Sequence, residues 1–394
     1  MREARNVTAE VLASNTAAPR RRLPGLRALR CSLAPLGLAA GLAGCERTVD
    51  SVVFGLVAPL QTTYGSSARL GAELAQREVN ALWSEEGRRL ELRLKDDAAD
   101  PERAAAQAMA LYADAEVVAV VGPVNSGSAR QAAPIFNRGL PAVATGATSP
   151  GIARLGPWIF RVASSDSANA VALARQARRL GRRGAVLYAN DEYGRGLAAA
   201  FADAFRAAGG QLLESDPYLE TTTDFSPYLQ RLRARGAQVV LVAGLEDGAA
   251  RILAQADSLG LGARFLGGDG LEGLAAAGSR HNGVYVGLLF HPAASTAARD
   301  FATRFQTAYG RAPDSDAALA YDAVHLLARA AAEAGARRGS IRGYLARLGR
   351  PDGVPPLEGA AGTLRFDENG DPQEKRYAIG VIRDGAVVLN GGGR

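Results

Sequence analysis

Beyond residue 50 the chain alternates short apolar runs with stretches in which apolar residues recur every three or four positions. The short runs predict buried strands, and the longer pattern predicts amphipathic helices. Alternation of the two is typical of parallel sheets covered by helices on both faces. The first predicted series is strand 51–56, helix 68–83, strand 90–94, helix 101–113, strand 117–121 and helix 129–137.

A second series of the same kind follows farther along the chain. Its predicted elements are strand 185–188, helix 197–208, strand 211–213, helix 225–234, strand 239–243, helix 249–258 and strand 265–266. Gly209, Gly236 and Gly260 follow three of these helices, which is where a residue with positive φ commonly ends a helix. Two series predict two α/β lobes, with the change of lobe near 162–164.

The last hundred residues do not continue either series simply. Helices are predicted over 297–309, 315–334 and 340–348, a strand entering a tight turn over 362–371, and a strand over 377–382. Asp384-Gly385 directly after that strand is typical of a tight hairpin turn. The length of 394 residues suits two separate cores.

The beginning of the chain indicates export. Residues 20–30 are strongly basic, 31–44 are small or apolar, and Cys45 follows. This pattern is typical of a secretory signal and too short to remain as a spanning helix. Leu42-Ala43-Gly44-Cys45 resembles the lipobox of bacterial lipoproteins, so we expect a signal peptide over 1–44 and lipidation at Cys45, with the protein held to a membrane in the periplasm or at the cell surface. The alternative is ordinary cleavage that leaves Cys45 as a free thiol.

The positive charge of the chain is concentrated in this leader. Residues 1–44 contain seven arginines and two glutamates, a net charge of +5, which leaves +1 of the whole-chain value of +6 for the remainder. No basic stripe interleaved with aromatic residues follows. The composition therefore gives no electrostatic basis for binding nucleic acid.

Several short fragments occur in a distinctive order and spacing. They are 55–60 (GLVAPL), 71–75 (GAELA), 92–101 (LRLKDDAADP), 120–123 (VVGP), 191–196 (DEYGRG) and 366–371 (FDENGD). From about Val52 to Val388 the chain thereby resembles the leucine/isoleucine/valine-binding proteins, the type I periplasmic solute-binding proteins of branched-chain amino-acid ABC transporters. The resemblance implies two Rossmann-like lobes joined by a three-strand hinge. The first lobe would comprise 50–163 and 290–361, and the second 164–289 and 362–390.

Residues 122–128 form a candidate anion site, because they join a buried strand to the start of a helix, where backbone N–H groups are free. The resemblance implies that Ser126 binds the carboxylate of an amino-acid-like ligand, together with the backbone of Gly146 and the hydroxyl of Thr148. It also implies that Asp269, in the second lobe, pairs with the ligand ammonium. The alternatives are a helix cap for Ser126, a turn hydroxyl for Thr148 and a solvated turn for Asp269.

Two tyrosines complete the predicted site. Tyr193 resembles an aromatic residue that lines the cleft from the second lobe, with a core tyrosine as the alternative, and Tyr64 would lie against the ligand from the first lobe. Where related proteins often place an aromatic or polar ligand contact, this chain has Gly-Leu-Glu-Asp at 244–247. That departure leaves the side-chain pocket, and with it branched-chain specificity, open.

Enzymatic alternatives lack the necessary parts. Residues 268–273 match GxGxxG after a strand, but Asp269 would face a pyrophosphate with like charge and no acidic residue occurs over 274–299 to bind a ribose. The sequence contains no GxSxG and no metal-binding HExxH or CxxC spacing. We therefore expect a non-catalytic protein without cofactor or metal.

The sequence thus predicts the extracytoplasmic substrate-binding lipoprotein of an ABC importer, for branched-chain or other amino acids or amide-like small solutes. Its expected partners are the solute, the membrane-spanning permease subunits and, through the lipid, the membrane itself. The alternative is a ligand sensor on the same fold, which fold alone does not separate from a transporter component. The lipoprotein leader favours the importer.

Overall fold

Strands and helices alternate along most of the chain in the computed structural model, which describes residues 50–375 and 377–390. The described strands are β1 Asp50–Ala58, β2 Arg88–Asp96, β3 Val117–Val121, β4 Ala142–Ala144, β5 Ile159–Arg161, β6 Arg183–Ala189, β7 Gln211–Tyr218, β8 Val239–Ala243, β9 Arg264–Gly267, β10 Tyr285–Leu288, β11 Leu357–Gly359, β12 Gly362–Leu364, β13 Ala378–Arg383 and β14 Ala386–Leu389. The described α-helices are α1 Thr63–Trp83, α2 Pro101–Ala113, α3 Ser126–Phe136, α4 Asp166–Leu180, α5 Glu192–Ala207, α6 Ser226–Ala234, α7 Glu246–Ser258, α8 Thr296–Tyr309, α9 Ser315–Ala334 and α10 Arg338–Leu345. The predicted signal peptide and Cys45 lie outside the described residues.

The first lobe is built on a parallel sheet with the strand order β2-β1-β3-β4-β5. Its interior strand β1 is buried from Val52 onward, because helices cover both faces of the sheet. The late helices return to this lobe: α9 packs along α1, and Phe301 and Phe305 of α8 share a hydrophobic core with Phe54.

The second lobe is built on a seven-stranded sheet with the order β14-β13-β10-β9-β8-β6-β7. Strands β6 to β10 are parallel, whereas β13 runs antiparallel to both β10 and β14. Asp384 and Gly385 join β13 to β14 with φ values of 46° and 84°, as a tight hairpin turn requires. The prediction of two α/β lobes is confirmed, as is the C-terminal hairpin.

The hairpin of β11 and β12 differs from the expected division of the lobes. Leu364 and Phe366, placed by the sequence in the second lobe, are buried in the core of the first. Phe366 packs against Phe160, with ring centroids 5.4 Å apart. The chain therefore returns to the second sheet only with β13, because these two apolar side chains find their burial in the first lobe.

Several helices begin earlier than their apolar spacing predicts. Helix α1 begins at Thr63, where the Thr62 side chain accepts a hydrogen bond from Gly65 N, and α5 begins at Glu192 behind the capping side chain of Asp191. Helix α4 lies outside the predicted elements, because all but one of its buried positions are alanine or polar residues, which carry little hydrophobic signal. In the part of the chain that the structure describes, no helix combines the length and apolarity needed to span a bilayer.

Candidate functional site

A cavity of about 570 Å³ lies between the two lobes. Tyr64, Ser126 and Gly146 line it from the first lobe, and Tyr193 and Asp269 line it from the second. Five of the six predicted ligand-binding residues, distant in sequence, thus meet around one space. The strand ends and helix starts of both sheets face it, which is where ligands bind in open α/β sheets.

Ser126 is the first residue of α3, and the preceding Asn125 occupies the capping position without a side-chain cap bond. The Ser126 side chain is buried, and its Oγ accepts a hydrogen bond of 3.2 Å from Ser149 N. Its hydroxyl hydrogen is therefore free for an acceptor in the cavity. The first N–H groups of α3 have no acceptor within the helix, so this end of the cavity suits a carboxylate.

Gly146 and Thr148 occupy different positions relative to the cavity. A Cβ at Gly146 would lie 3.0 Å from Val124 Cγ1 and 3.1 Å from Asp316 Oδ1, so glycine permits the close approach of that carboxylate. Thr148 is fully buried behind the wall, and its hydroxyl donates a 2.9 Å hydrogen bond to Asp166 Oδ2. The sequence assigned this hydroxyl to the ligand, but its hydrogen is already committed to a buried carboxylate.

Asp269 and Tyr193 form the second-lobe wall together. The Tyr193 hydroxyl lies 3.5 Å from Asp269 Oδ1 and accepts a 3.4 Å hydrogen bond from Gly270 N. Tyr193 is only 9% exposed and packs in the core that includes Leu197. Both interpretations of this tyrosine therefore apply, because its ring belongs to the core and its hydroxyl reaches the cavity.

Tyr64 lines the first-lobe side beside Asn125. Its hydroxyl accepts a 3.1 Å hydrogen bond from Asn125 Nδ2. Burial raises the pKa of Tyr64 to about 12, so the group stays a neutral phenol at physiological pH.

The glycines of the 268–273 motif serve side-chain packing in this structure. A Cβ at Gly268 would lie 2.5 Å from the Tyr193 hydroxyl, and a Cβ at Gly273 would overlap the carboxylate of Glu246. Each glycine thus admits a polar side chain that borders the cavity. The motif is explained here without a dinucleotide.

The structure adds four carboxylates that the sequence analysis did not assign to the site. They are Glu246, Glu272, Asp314 and Asp316. Asp314 and Asp316 flank the start of α9, about 180 residues beyond α3 in the chain, where acidic residues are common helix-capping residues. Of the four, only Glu246 lies in a segment that the sequence analysis singled out, residues 244–247, where this chain differs from related proteins.

Mutual repulsion and burial alter the ionisation of these groups. Burial, and then the charge of Asp269, raises the pKa of Asp166 to about 8, and burial raises that of Asp269 to about 6. Burial and the neighbouring Asp314 raise the pKa of Glu272 to about 8, and the pKa of Asp316 lies well above its usual value for the same reasons. A positive charge in the cavity would reverse these shifts.

Hydrogen bonds across the cleft hold the lobes together. Thr63 donates to Glu246, Ser315 N donates to Glu272 Oε2 at 3.2 Å, and Ser149 Oγ lies 3.0 Å from Glu192 Oε1. In each pair the first residue belongs to the first lobe and the second to the other. In the described arrangement the two lobes therefore contact each other on either side of the cavity, as in a closed form.

An ion pair between a buried arginine and a half-buried aspartate lies where the chain first leaves β5 for the second lobe. The Arg161 side chain is fully buried and contacts Asp371 through two hydrogen bonds, of 2.5 Å and 2.8 Å. It also donates to the carbonyl oxygens of Ala147 and Ser149, at 3.1 Å and 2.9 Å. Arg161 thereby fixes the segment that carries Thr148.

The chain matches known proteins over nearly all of its described length. The family described as periplasmic binding protein matches residues 51–386. The Leu/Ile/Val-binding protein homolog 3 of Brucella melitensis is 27% identical over 368 residues, which cover 90% of this chain and 98% of that relative.

Solved structures agree with the same assignment. An ABC transporter substrate-binding protein of Desulfitobacterium hafniense, in complex with Leu, is 29% identical with a TM-score of 0.73, over 86% of this chain and 100% of its own. A leucine-binding protein of Thermotoga maritima is 26% identical with a TM-score of 0.78, over 86% of this chain and 97% of its own. The resemblance to the Leu/Ile/Val-binding proteins is confirmed, and the chain belongs to the periplasmic binding protein family, whose members bind solutes and are not enzymes.

Proposed function

We propose that this protein is the solute-binding component of an ABC importer, anchored outside the cytoplasm by lipid on Cys45, and that it closes around an amino-acid-like solute. The observation that carries the proposal is the division of the cavity wall. A first-lobe helix start with the Ser126 hydroxyl suits a carboxylate, and the second-lobe Asp269 suits an ammonium. A solute with both groups bridges the lobes and stabilises the closed form by differential affinity.

Three further observations support this proposal. The relative from Desulfitobacterium hafniense is a transporter substrate-binding protein with leucine bound. The hydrogen bonds across the cleft supply contacts that exist only in the closed form. The basic leader and the Leu-Ala-Gly-Cys sequence at 42–45 suit export followed by acylation.

Solute binding is tested by isothermal titration calorimetry of the purified full chain with a panel of amino acids, amides and short organic acids. We expect at least one amino acid to bind, and Asp269→Asn to weaken that binding at least tenfold, because a buried charge-assisted hydrogen bond is lost. Asp247→Asn is the matched control, since Asp247 is an exposed acid outside the cavity lining. Undiminished binding by Asp269→Asn would contradict the assignment of Asp269 as the ammonium site.

Lipid attachment is tested separately by growing cells with an alkyne-labelled fatty acid. The wild-type chain should carry the label, and Cys45→Ser should lack it and leave the membrane fraction. Labelling that survives in Cys45→Ser would contradict the anchor without touching the solute-binding proposal. Cys31→Ser is the control, because Cys31 lies within the predicted signal peptide.

A further inference from the structure

The wall of the cavity carries far more negative than positive charge. Five carboxylates line it, Glu246, Asp269, Glu272, Asp314 and Asp316, and Asp166 lies buried behind Asp269. The one lining residue that is always positive is Arg311, which is exposed and donates to Ser67 Oγ at 2.8 Å. A neutral amino acid brings one ammonium, which one carboxylate satisfies.

Within residues 50–375 and 377–390 none of the five carboxylates forms an ion pair. Hydrogen bonds within the protein give three of these five carboxylates a structural role. Asp314 caps α9 through Ala317 N, Glu272 accepts from Ser315 N, and Glu246 accepts from Thr63. Asp316 accepts no hydrogen bond from any described residue, although Gly146 leaves it just enough room beside the cavity.

Helix starts offset some of this charge. Helices α7 and α9 both begin at the cavity, and each helix start carries roughly half a positive charge. That contribution suits one carboxylate per helix, which Glu246 and Asp314 provide. Asp269, Glu272 and Asp316 remain in excess, and they lie on both lobes.

We infer that the solute is a basic amino acid, whose α-ammonium binds to Asp269 and whose side-chain cation binds between Asp316 and Glu272. The inference rests on the proposed function and names its substrate class. The carboxylate of such a solute would bind at Ser126 and the start of α3. The apolar side chains of Leu288, Phe290 and Val387 also line the cavity and suit an aliphatic stem between the two charges.

The size of the cavity and the spread of the carboxylates favour an extended organic cation. About 570 Å³ is within the range for a small-molecule site and leaves room beyond an α-carboxylate and α-ammonium. Over the described ranges, no three His, Cys, Asp or Glu side chains converge as the ligands of a metal ion would. A chain with a charge at each end suits separated carboxylates better than a point charge does.

The charge distribution also couples binding to closure. Asp314 and Asp316 approach from the first lobe, and Glu246, Asp269 and Glu272 from the second. Closure without a cation brings like charges together in a poorly solvated space, which is unfavourable. The two cationic groups of a basic amino acid turn that repulsion into attraction, so such a solute stabilises the closed form more than a neutral amino acid would.

The test is calorimetry of the full chain with L-lysine, L-arginine and L-ornithine against L-leucine, L-glutamate, cadaverine and Mg²⁺. We expect the basic amino acids to bind at least tenfold more tightly than leucine and than cadaverine, which lacks the carboxylate. Binding of lysine should release protons, seen as a dependence of the heat on buffer ionisation enthalpy. Tighter binding of leucine than of any basic amino acid would overturn this inference while leaving the proposed function intact, and tighter binding of cadaverine or Mg²⁺ would overturn it too.

A variant supplies the second test. Asp316→Asn should lower the ratio of lysine to leucine affinity about tenfold, whereas Asp247→Asn should leave that ratio unchanged. Circular dichroism checks that both variants fold. If Asp316→Asn does not fold, the release of protons when the wild type binds lysine tests the inference instead. An unchanged ratio in folded Asp316→Asn, or lysine binding without proton release, contradicts the inference, and failure of every amino acid to bind contradicts the proposed function itself.

Discussion

Arg130 Nη2 lies 2.6 Å from Glu192 Oε1, and this ion pair joins α3 of the first lobe to α5 of the second. Glu192 also accepts from Ser149 Oγ across the same cleft, at 3.0 Å. Both contacts cross the cleft, so separating the lobes would break them. The two contacts add to the stability that the solute gives the closed form. The Arg130 side chain is 47% exposed, which limits the strength of the ion pair.

Removing this contact should weaken solute binding slightly. Arg130→Ala should raise the dissociation constant of the bound amino acid by at most about fivefold, because an exposed ion pair contributes about 0.2–1 kcal/mol. Arg195→Ala is the control, since Arg195 lies 4.0 Å from the same carboxylate but within α5. Calorimetry measures both, and equal effects from the two variants would mean that the pair across the cleft does not support closure.

Ser126 provides a test of the carboxylate site. Ser126→Ala removes the free hydroxyl and should weaken amino-acid binding about tenfold, as the loss of a hydrogen bond to a charged group predicts. It also leaves Ser149 N without its acceptor, so a loss of about 1 kcal/mol in unfolding free energy should accompany it. Ser128→Ala on the same helix is the control for binding, because Ser128 does not line the cavity. Full affinity in Ser126→Ala would place the carboxylate elsewhere.

The carboxylates in and behind the cavity predict how stability without solute depends on pH. Asp166, Asp269, Glu272 and Asp316 have raised pKa values, so between about pH 4 and 8 the folded protein holds protons that the unfolded chain releases. Stability should therefore fall as pH rises through this window, by about 1.4 kcal/mol per pH unit for each proton held. The opposing charges are Arg161, which attracts Asp166, and the helix starts, while Glu246 and Asp314 add to the repulsion.

Urea unfolding between pH 5 and 8.5 measures this dependence. Asp166→Asn keeps an oxygen acceptor for Thr148 and should flatten the curve, with its largest gain over wild type at the alkaline end. Asp300→Asn, an exposed acid on α8, is the matched control and should follow the wild type. Wild-type stability that rises steadily from pH 5 to 8.5 would contradict the raised pKa values.

Arg161 predicts a large effect on folding. Arg161→Met removes the buried partner of this ion pair and two carbonyl contacts, which should lower the unfolding free energy by about 3 kcal/mol. Arg138→Met, at an exposed arginine without an ion pair among the described residues, should change it by less than about 0.5 kcal/mol. Similar unfolding midpoints in urea for the two variants would show that the pair does not stabilise the fold.

The sequence predicts the fold better than the wall of the site. Strands such as β3 and β8 are fully apolar runs, and apolar spacing marks the buried side of α9, so both lobes are visible in the pattern. The first turns of α1 and α5 are polar because they face the cleft. The spacing of apolar residues therefore predicts that both helices begin later in the chain than they do. Strand β12 and Phe366 were assigned to the second lobe because their pattern does not reveal that the core of the first lobe buries them.

The residues of the site likewise divide into those that the sequence predicts and those that it does not. Ser126 and Asp269 follow buried strands, so position alone indicates their proximity to a ligand. Asp316 lies at the start of a helix that returns from far along the chain, and in sequence it is an ordinary first-turn acid. Only the packing of α9 against α1 brings its carboxylate to Gly146. Tertiary structure, rather than any local pattern, creates the acidic wall.

The central claim is that two lobes close around an amino-acid-like solute. Small-angle X-ray scattering of the full chain, before and after saturation with the tightest-binding amino acid from the calorimetric panel, tests it most directly. We predict a smaller radius of gyration with solute, and a smaller contraction of Asp269→Asn than of the wild type at a concentration near the wild-type dissociation constant. A radius that stays constant while calorimetry records saturation would contradict closure around the solute.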